Sequence, residues 1–176
     1  MTAKNILYVE DDENDLWLLA RAFQAEGLKE PLHAVREGVE AIAWLAGDGY
    51  FEDRAKYPLP QLVLLDIRLP KVDGLAVLRW IRSHPPFMAL PVIMFSTSYQ
   101  DRDITDAYDL GANLFLVKPT GPDDLRHIAR FLMTWLHHSR PPPLDERMWD
   151  ALTFGDRVAN WRRSGAYQVE ALPPAA

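Results

Sequence analysis

"LVLLDIRLP" (62–70) is the stretch that decides the fold. Four apolar residues, Leu62 to Leu65, run straight into a carboxylate at Asp66, and Pro70 closes the segment. The run shows no alternation of polar and apolar residues. It therefore reads as a strand buried on both faces, the kind found in parallel sheets with helices packed above and below. An acid at the end of so apolar a strand needs a purpose, because burial penalises its charge.

The pattern repeats outward from that strand. "NILYV" (5–9), "LHAV" (32–35), "PVIMFS" (91–96) and "NLFLVKP" (113–119) are further strand candidates. Helical spacing follows each of them. Leu16, Leu19, Ala20 and Phe23 share one helix face, closed by Gly27. Val39, Ile42, Ala43 and Ala46 share another, and "YFEDRAKYPLPQ" (50–61) reads as a polar, proline-containing loop. "DGLAVLRWIRSH" is stopped by Pro85 and Pro86, and "DRDITDAYDLG" ends at Gly111. The last helix, "PDDLRHIARFLMTWLHH", has Pro122 at its start, acids in its first turn and His137 and His138 in its last, where they compensate the helix dipole. Five strand–helix units predict a doubly wound α/β domain over residues 3 to about 138, with a five-stranded parallel sheet.

Composition narrows the function. The net charge of −6 argues against direct binding to nucleic acid, which needs a basic surface. With no cysteine there is no disulfide framework and no thiolate chemistry. No apolar run approaches a membrane span of roughly 18 residues, and the N-terminus lacks the features of a signal peptide, so a cytoplasmic location is expected.

Four strands end in polar groups: Glu10, Asp11 and Asp12; Asp66; Ser96, followed by Thr97 and Ser98; and Lys118. Any one of these could be a helix cap. Open parallel sheets, however, bind ligands beyond the carboxyl ends of their strands, so all four clusters should meet in one crevice. Crowded carboxylates repel one another and call for a proton or a cation. An all-oxygen donor set suits Mg²⁺. A lysine and a hydroxyl beside it complete what phosphoryl transfer to a carboxylate requires. The chain has no nucleotide-cradling glycine motif and no G-x-S-x-G elbow. An aspartyl phosphatase is a competing reading, but its usual second acid is replaced here by Arg68.

"ILYVEDD", "LVLLDIRLPKVDGLAVL", "LPVIMFSTS" and "GANLFLVKP" together resemble a response-regulator receiver domain, over residues 5 to about 138. The resemblance implies a flavodoxin-like sheet of strand order 2-1-3-4-5. It implies that Asp66 is the phosphoacceptor. Glu10, Asp11, Asp66 and the backbone carbonyl of Arg68 would hold Mg²⁺, with Asp12 outside that set. Ser96 would be the switch hydroxyl, Lys118 the phosphate-pairing lysine and Phe115 the switch aromatic. Arg68, Thr97 and Ser98 would modulate phosphate lifetime. The Lys118–Pro119 bond would be cis, and Gly74 would supply a positive φ after Asp73. The long loop at 50–60 and "FSTS" look like the stand-alone receivers that serve bacterial phytochromes.

About 37 residues follow residue 139, starting with "RPPPLD". The domain is expected over 1–139, with a C-terminal extension of short helices over 140–176 and no DNA-binding domain. Trp149, Phe154, Trp161 and Tyr167 give that extension apolar anchors. On the last helix, Leu125, Ile128, Leu132 and Leu136 form the core stripe. Phe131 and Trp135 either widen that stripe or bind the extension or a second copy of the chain.

The expected function is a single-domain two-component regulator. It would take a phosphoryl group from a histidine kinase or phosphotransfer protein and signal to a protein target, without turning over a free substrate. The alternative is a phosphorylation-independent interaction scaffold. Such receivers lack an acid, the acceptor or the lysine, and here all are present.

Overall fold

Five strands and five helices alternate along the computed structural model, which describes residues 5–29 and 31–138. In chain order they are β1 (Ile6–Val9), α1 (Glu13–Ala25), β2 (Leu32–Val35), α2 (Gly38–Ala46), β3 (Leu62–Leu65), α3 (Gly74–Ser83), β4 (Val92–Ser96), α4 (Asp101–Asp109), β5 (Leu114–Val117) and α5 (Pro122–His138). The strands form one sheet in the order β2-β1-β3-β4-β5, and every pairing is parallel. This is the doubly wound architecture that the sequence pattern implies.

Both faces of the sheet are covered. Ile6, Tyr8, Leu62, Leu64, Ile93 and Phe95 share a core with Leu19 and Phe23 of α1 and Leu125, Ala129 and Leu132 of α5. Their strand neighbours Leu7, Val9, Val63, Leu65 and Met94 are just as buried and point to the opposite face, where α2 and α3 pack together. All four residues of β3 are fully buried. Each contributes about 2 kcal/mol by leaving water. That burial anchors the strand whose end carries Asp66.

Local signals set the helix ends. The Asp12 carboxylate accepts from the backbone N–H groups of Asn14 (2.7 Å) and Asp15 (3.3 Å) and so caps α1. Gly27 lies just beyond α1 at φ 67°, as its position in the sequence suggests. The Asp73 carboxylate caps α3 through the N–H of Ala76 at 2.8 Å. At the far end of α5, His137 and His138 each place Nδ1 against a carbonyl of the last turns, Met133 O and Thr134 O.

Four local expectations need correction. Gly74 does not adopt a positive φ; Lys71 does, at 65°. Gly74 is required by close approach instead, since a Cβ there would sit 1.9 Å from the carbonyl oxygen of Asp66. All peptide bonds of the described residues are trans, Lys118–Pro119 included. On α2, Val39 and Ala43 are only half-buried, whereas Ala41, Trp44 and Leu45 are buried. The reason lies in the 50–61 loop, which is an aromatic cover rather than a polar excursion. Trp44, Phe51 and Tyr57 bring their rings within 5.1–5.2 Å of one another, and the Arg54 guanidinium donates to Trp44 O (2.6 Å) and Leu45 O (2.8 Å) at the end of α2.

Trp135 packs against the core, and Phe131 is exposed. The expectations for residues 139–176 lie outside the described residues. Among the described residues no helix is long and apolar enough to cross a membrane.

Candidate functional site

Parallel pairing brings the strand ends together. Val9 pairs with Leu65, Leu65 with Met94, and Ser96 with Val117. The next residue along three of these strands is Glu10, Asp66 or Lys118, and Ser96 closes the fourth. The carboxyl edge of the sheet thus gathers two acids, a hydroxyl and a lysine in one crevice. Asp66 and Glu10 are buried, and Ser96 is fully buried.

Lys118 is the hub. Its ammonium donates to Asp66 Oδ2 at 2.8 Å, to Asp15 Oδ2 at 2.8 Å and to Glu10 Oε2. An ammonium has three protons, so its donor capacity is filled. Burial alone would push the Lys118 pKa down, but the bonds to Asp15, Asp66 and Glu10 outweigh burial and hold it above the usual lysine range. The lysine is charged at any physiological pH.

Glu10 is positioned from three sides. Tyr8, fully buried one pleat earlier on β1, donates its hydroxyl to Glu10 Oε2 at 2.8 Å, and Lys118 binds the same oxygen. The backbone N–H of Asp12 binds Oε1 at 3.1 Å. Burial raises the Glu10 pKa, and the Lys118 and Tyr8 bonds partly offset that rise. Burial and the neighbouring Glu10 charge push the Tyr8 phenol far up, so it stays a neutral donor.

Asp66 is held by backbone as well as by Lys118. Its Oδ1 accepts from Ile67 N–H at 2.6 Å and Arg68 N–H at 3.4 Å. Asp11 is exposed, yet Glu10, Asp11 and Asp66 each offer an oxygen, and the three lie within 4.8 Å of one another. Three hard oxygen donors at that spacing fit a small divalent cation such as Mg²⁺. Asp12 is engaged in capping α1, as expected for an acid outside the set.

A second network flanks the first. Ser96 Oγ accepts from Ser98 N–H at 3.3 Å. The Ser98 hydroxyl donates to Asp103 Oδ2 at 2.5 Å, and Arg68 Nη2 donates to the same oxygen at 3.1 Å. Thr97 is exposed. Phe115 is half-buried on β5, paired with Met94, and its N–H donates to the Tyr108 hydroxyl on α4 at 3.2 Å.

Three residues of these networks escape the sequence reading: Tyr8, Asp15 and Asp103. Tyr8 leaves a trace, being the one polar-tipped residue in an otherwise aliphatic strand. Asp15 and Asp103 look like ordinary first-turn acids of their helices, and only the fold shows which side chains they meet.

Comparison with known proteins agrees with this architecture. The model of the response regulator receiver domain family matches residues 6–130. The probable methanogenesis regulatory protein FilR2 of Methanothrix harundinacea is 36% identical over 138 residues, covering 78% of this chain and 86% of that protein. The response regulator Rcp1 of Synechocystis is 35% identical over 122 residues, covering 69% of this chain and 81% of that protein. The crystal structure of the Mn²⁺-bound form of Rcp1 superimposes with a TM-score of 0.70 at 33% identity, over 79% of this chain and 99% of that one. The phosphorylated cyanobacterial phytochrome response regulator RcpA superimposes with a TM-score of 0.73 at 32% identity, over 80% of this chain and 99% of that one.

Proposed function

The chain belongs to the response regulator receiver domain family, whose members act in two-component signalling, and from that premise we propose that it is switched by phosphorylation of Asp66. The observation that carries this reading is the environment of one carboxylate. Asp66 stands buried at the end of β3, fixed by two backbone N–H groups and the Lys118 ammonium, with Glu10 and Asp11 within chelating reach.

In the proposed reaction an Asp66 carboxylate oxygen attacks the phosphorus of a phosphohistidine. The P–O bond forms, the P–N bond breaks, and the donor's imidazole, already protonated on its other ring nitrogen, leaves neutral. Glu10, Asp11, Asp66 and the Arg68 backbone carbonyl would hold Mg²⁺. When bound, that ion supplies positive charge to the phosphoryl oxygens. Lys118 supplies a second positive charge, kept in the crevice beside the acceptor. Ser96 offers a hydroxyl to the product phosphoryl group, and Phe115 follows its movement. The added charge of about −1.5 to −2 shifts these side chains between two packed arrangements.

The kinship with RcpA and Rcp1 supports a phytochrome-type histidine kinase as phosphoryl donor, with a phosphotransfer protein as the other candidate. The exposed Phe131 on α5 supports contact with a second copy of the chain. Output then passes through a protein partner.

The test is intact mass after incubation with acetyl phosphate and Mg²⁺, with Asp66→Asn as control. A phosphoryl adduct on the wild type alone is expected. A folded wild type that takes no adduct would overturn the reading in favour of a phosphorylation-independent scaffold.

A further inference from the structure

Asp15 has no part in the metal set, yet it holds one of the three protons of the Lys118 ammonium. The three partners of Lys118 differ in what else they must do. Glu10 and Asp66 are the inner pair, with side chains 1% and 7% exposed, and both belong to the oxygen set that fits a divalent ion. Asp15 is the outer partner, 33% exposed, on the solvent side of the ammonium. Its backbone is fixed by the Asp12 cap at the start of α1, so its carboxylate is presented from a rigid turn.

An incoming divalent cation and the Lys118 ammonium compete for the same two inner carboxylates. Like charges cannot share them closely. The ammonium must give way without leaving the crevice, because it is needed there once a phosphoryl group arrives. Asp15 is the carboxylate that can keep it. We propose that Asp15 is a positioning residue that retains Lys118 beside the site while Glu10 and Asp66 turn to the metal. Its action passes through Lys118 and not through the ion. The inference rests on the reading of Glu10, Asp11 and Asp66 as a Mg²⁺ site and of Asp66 as phosphoacceptor.

Without Asp15, the ammonium has only the two inner carboxylates, and the cation must displace it from both with no acid to receive it. Metal affinity falls as a result. The alternative is that Asp15 is merely one more negative charge at a helix N-terminus. Glu13 serves as control for that, because it lies in the same turn of α1, is exposed and pairs with Arg36 at 2.7 Å.

The experiment is calorimetric titration of the full chain with MgCl₂ for wild type, Asp15→Asn, Glu13→Gln, Lys118→Ala and the Lys118→Ala/Asp15→Asn double variant. Melting curves check that each is folded. Asp15→Asn is expected to weaken Mg²⁺ binding by about tenfold and Glu13→Gln by less than about twofold. In the Lys118→Ala background, Asp15→Asn should do no more than Glu13→Gln does. Unchanged affinity in Asp15→Asn would overturn the proposal. So would an equal loss with and without Lys118, which would make Asp15 a distant charge. A wild type that binds no Mg²⁺ and takes no phosphoryl group from acetyl phosphate would instead bring down the functional reading itself.

Discussion

The Arg68 guanidinium meets the Asp103 carboxylate at 3.1 Å across 35 positions of sequence, and this ties the loop behind Asp66 to the first turn of α4. Asp103 is buried and also receives the Ser98 hydroxyl, so one carboxylate oxygen serves both flanks of the crevice. A phosphoryl group on Asp66 would carry more negative charge than Asp103 and would compete for Arg68.

The first prediction follows from that competition. Asp103→Ala releases Arg68 toward the phosphoryl group, where it shields the acyl phosphate from water. The adduct should then decay more slowly. Arg68 is about two-thirds exposed, so solvent screening limits the gain to about 1 kcal/mol, a factor of about five in half-life. The Arg68→Ala/Asp103→Ala double variant should lose that gain. The readout is adduct decay by intact mass. Decay in the double variant as slow as in Asp103→Ala would show that Arg68 is not the agent.

Tyr8→Phe keeps the ring that packs beside Phe95 and removes only the hydroxyl that serves Glu10. A buried carboxylate then loses a hydrogen bond. The expected cost is about 1–2 kcal/mol at neutral pH, read as a lower urea midpoint. Mg²⁺ affinity should fall too, because a carboxylate freed from its outer partner is less well oriented for a metal. Unchanged stability and affinity would mean that Lys118 and the Asp12 N–H suffice to hold Glu10.

The architecture and the site are legible in the sequence to different depths. Buried parallel strands need long apolar runs, and a helix end favours glycine just beyond it, so Leu62–Leu65 and Gly27 announce themselves, whereas the caps made by Asp12 and Asp73 emerge from the structure. Placing Glu10, Asp66, Ser96 and Lys118 in one crevice then requires only that the strands be parallel. What the sequence hides is pairing between side chains that no local rule connects. Asp15 meets Lys118 across 103 positions. The 50–61 loop looks polar because its aromatic residues are scattered among charged ones, and their common packing partner, Trp44, lies on a different element. Gly74 is visible as a glycine, but the reason for it, the approach of the Asp66 carbonyl, is a tertiary fact.

That approach gives a third prediction. In Gly74→Ala the new Cβ would lie 1.9 Å from Asp66 O and 3.0 Å from the Cα of Ile67. Both are backbone atoms of the loop that positions the acceptor, so relief requires moving the loop itself. A loss of about 3 kcal/mol is expected by denaturant unfolding, together with a marked fall in phosphoryl uptake in whatever fraction stays folded. Gly27→Ala is the comparison, since its Cβ would meet nothing within 4 Å and the cost is limited to its positive φ.

The last prediction concerns pH. His33, on β2, sets its ring 5.1 Å from that of Trp44 at a tilt of 50°, and its Nε2 is buried with no hydrogen-bond partner among the described residues. Burial lowers its pKa below the ordinary value of 6.5. The folded state therefore resists taking the proton that the unfolded chain accepts. Stability from this residue is present above about pH 6.5 and declines as pH falls from there toward the folded pKa. Glu10 acts in the opposite sense. Its folded pKa is raised above 4.5 by burial, so acidification through its folded pKa favours the folded state, and that contribution is lost as pH rises again. His33→Phe keeps an aromatic ring against Trp44 and removes the titration. Urea midpoints measured from pH 7.5 to 5 should fall in the wild type relative to His33→Phe, and the gap should open below about pH 6.5. Parallel midpoints across that range would show that His33 finds a partner for its proton when charged.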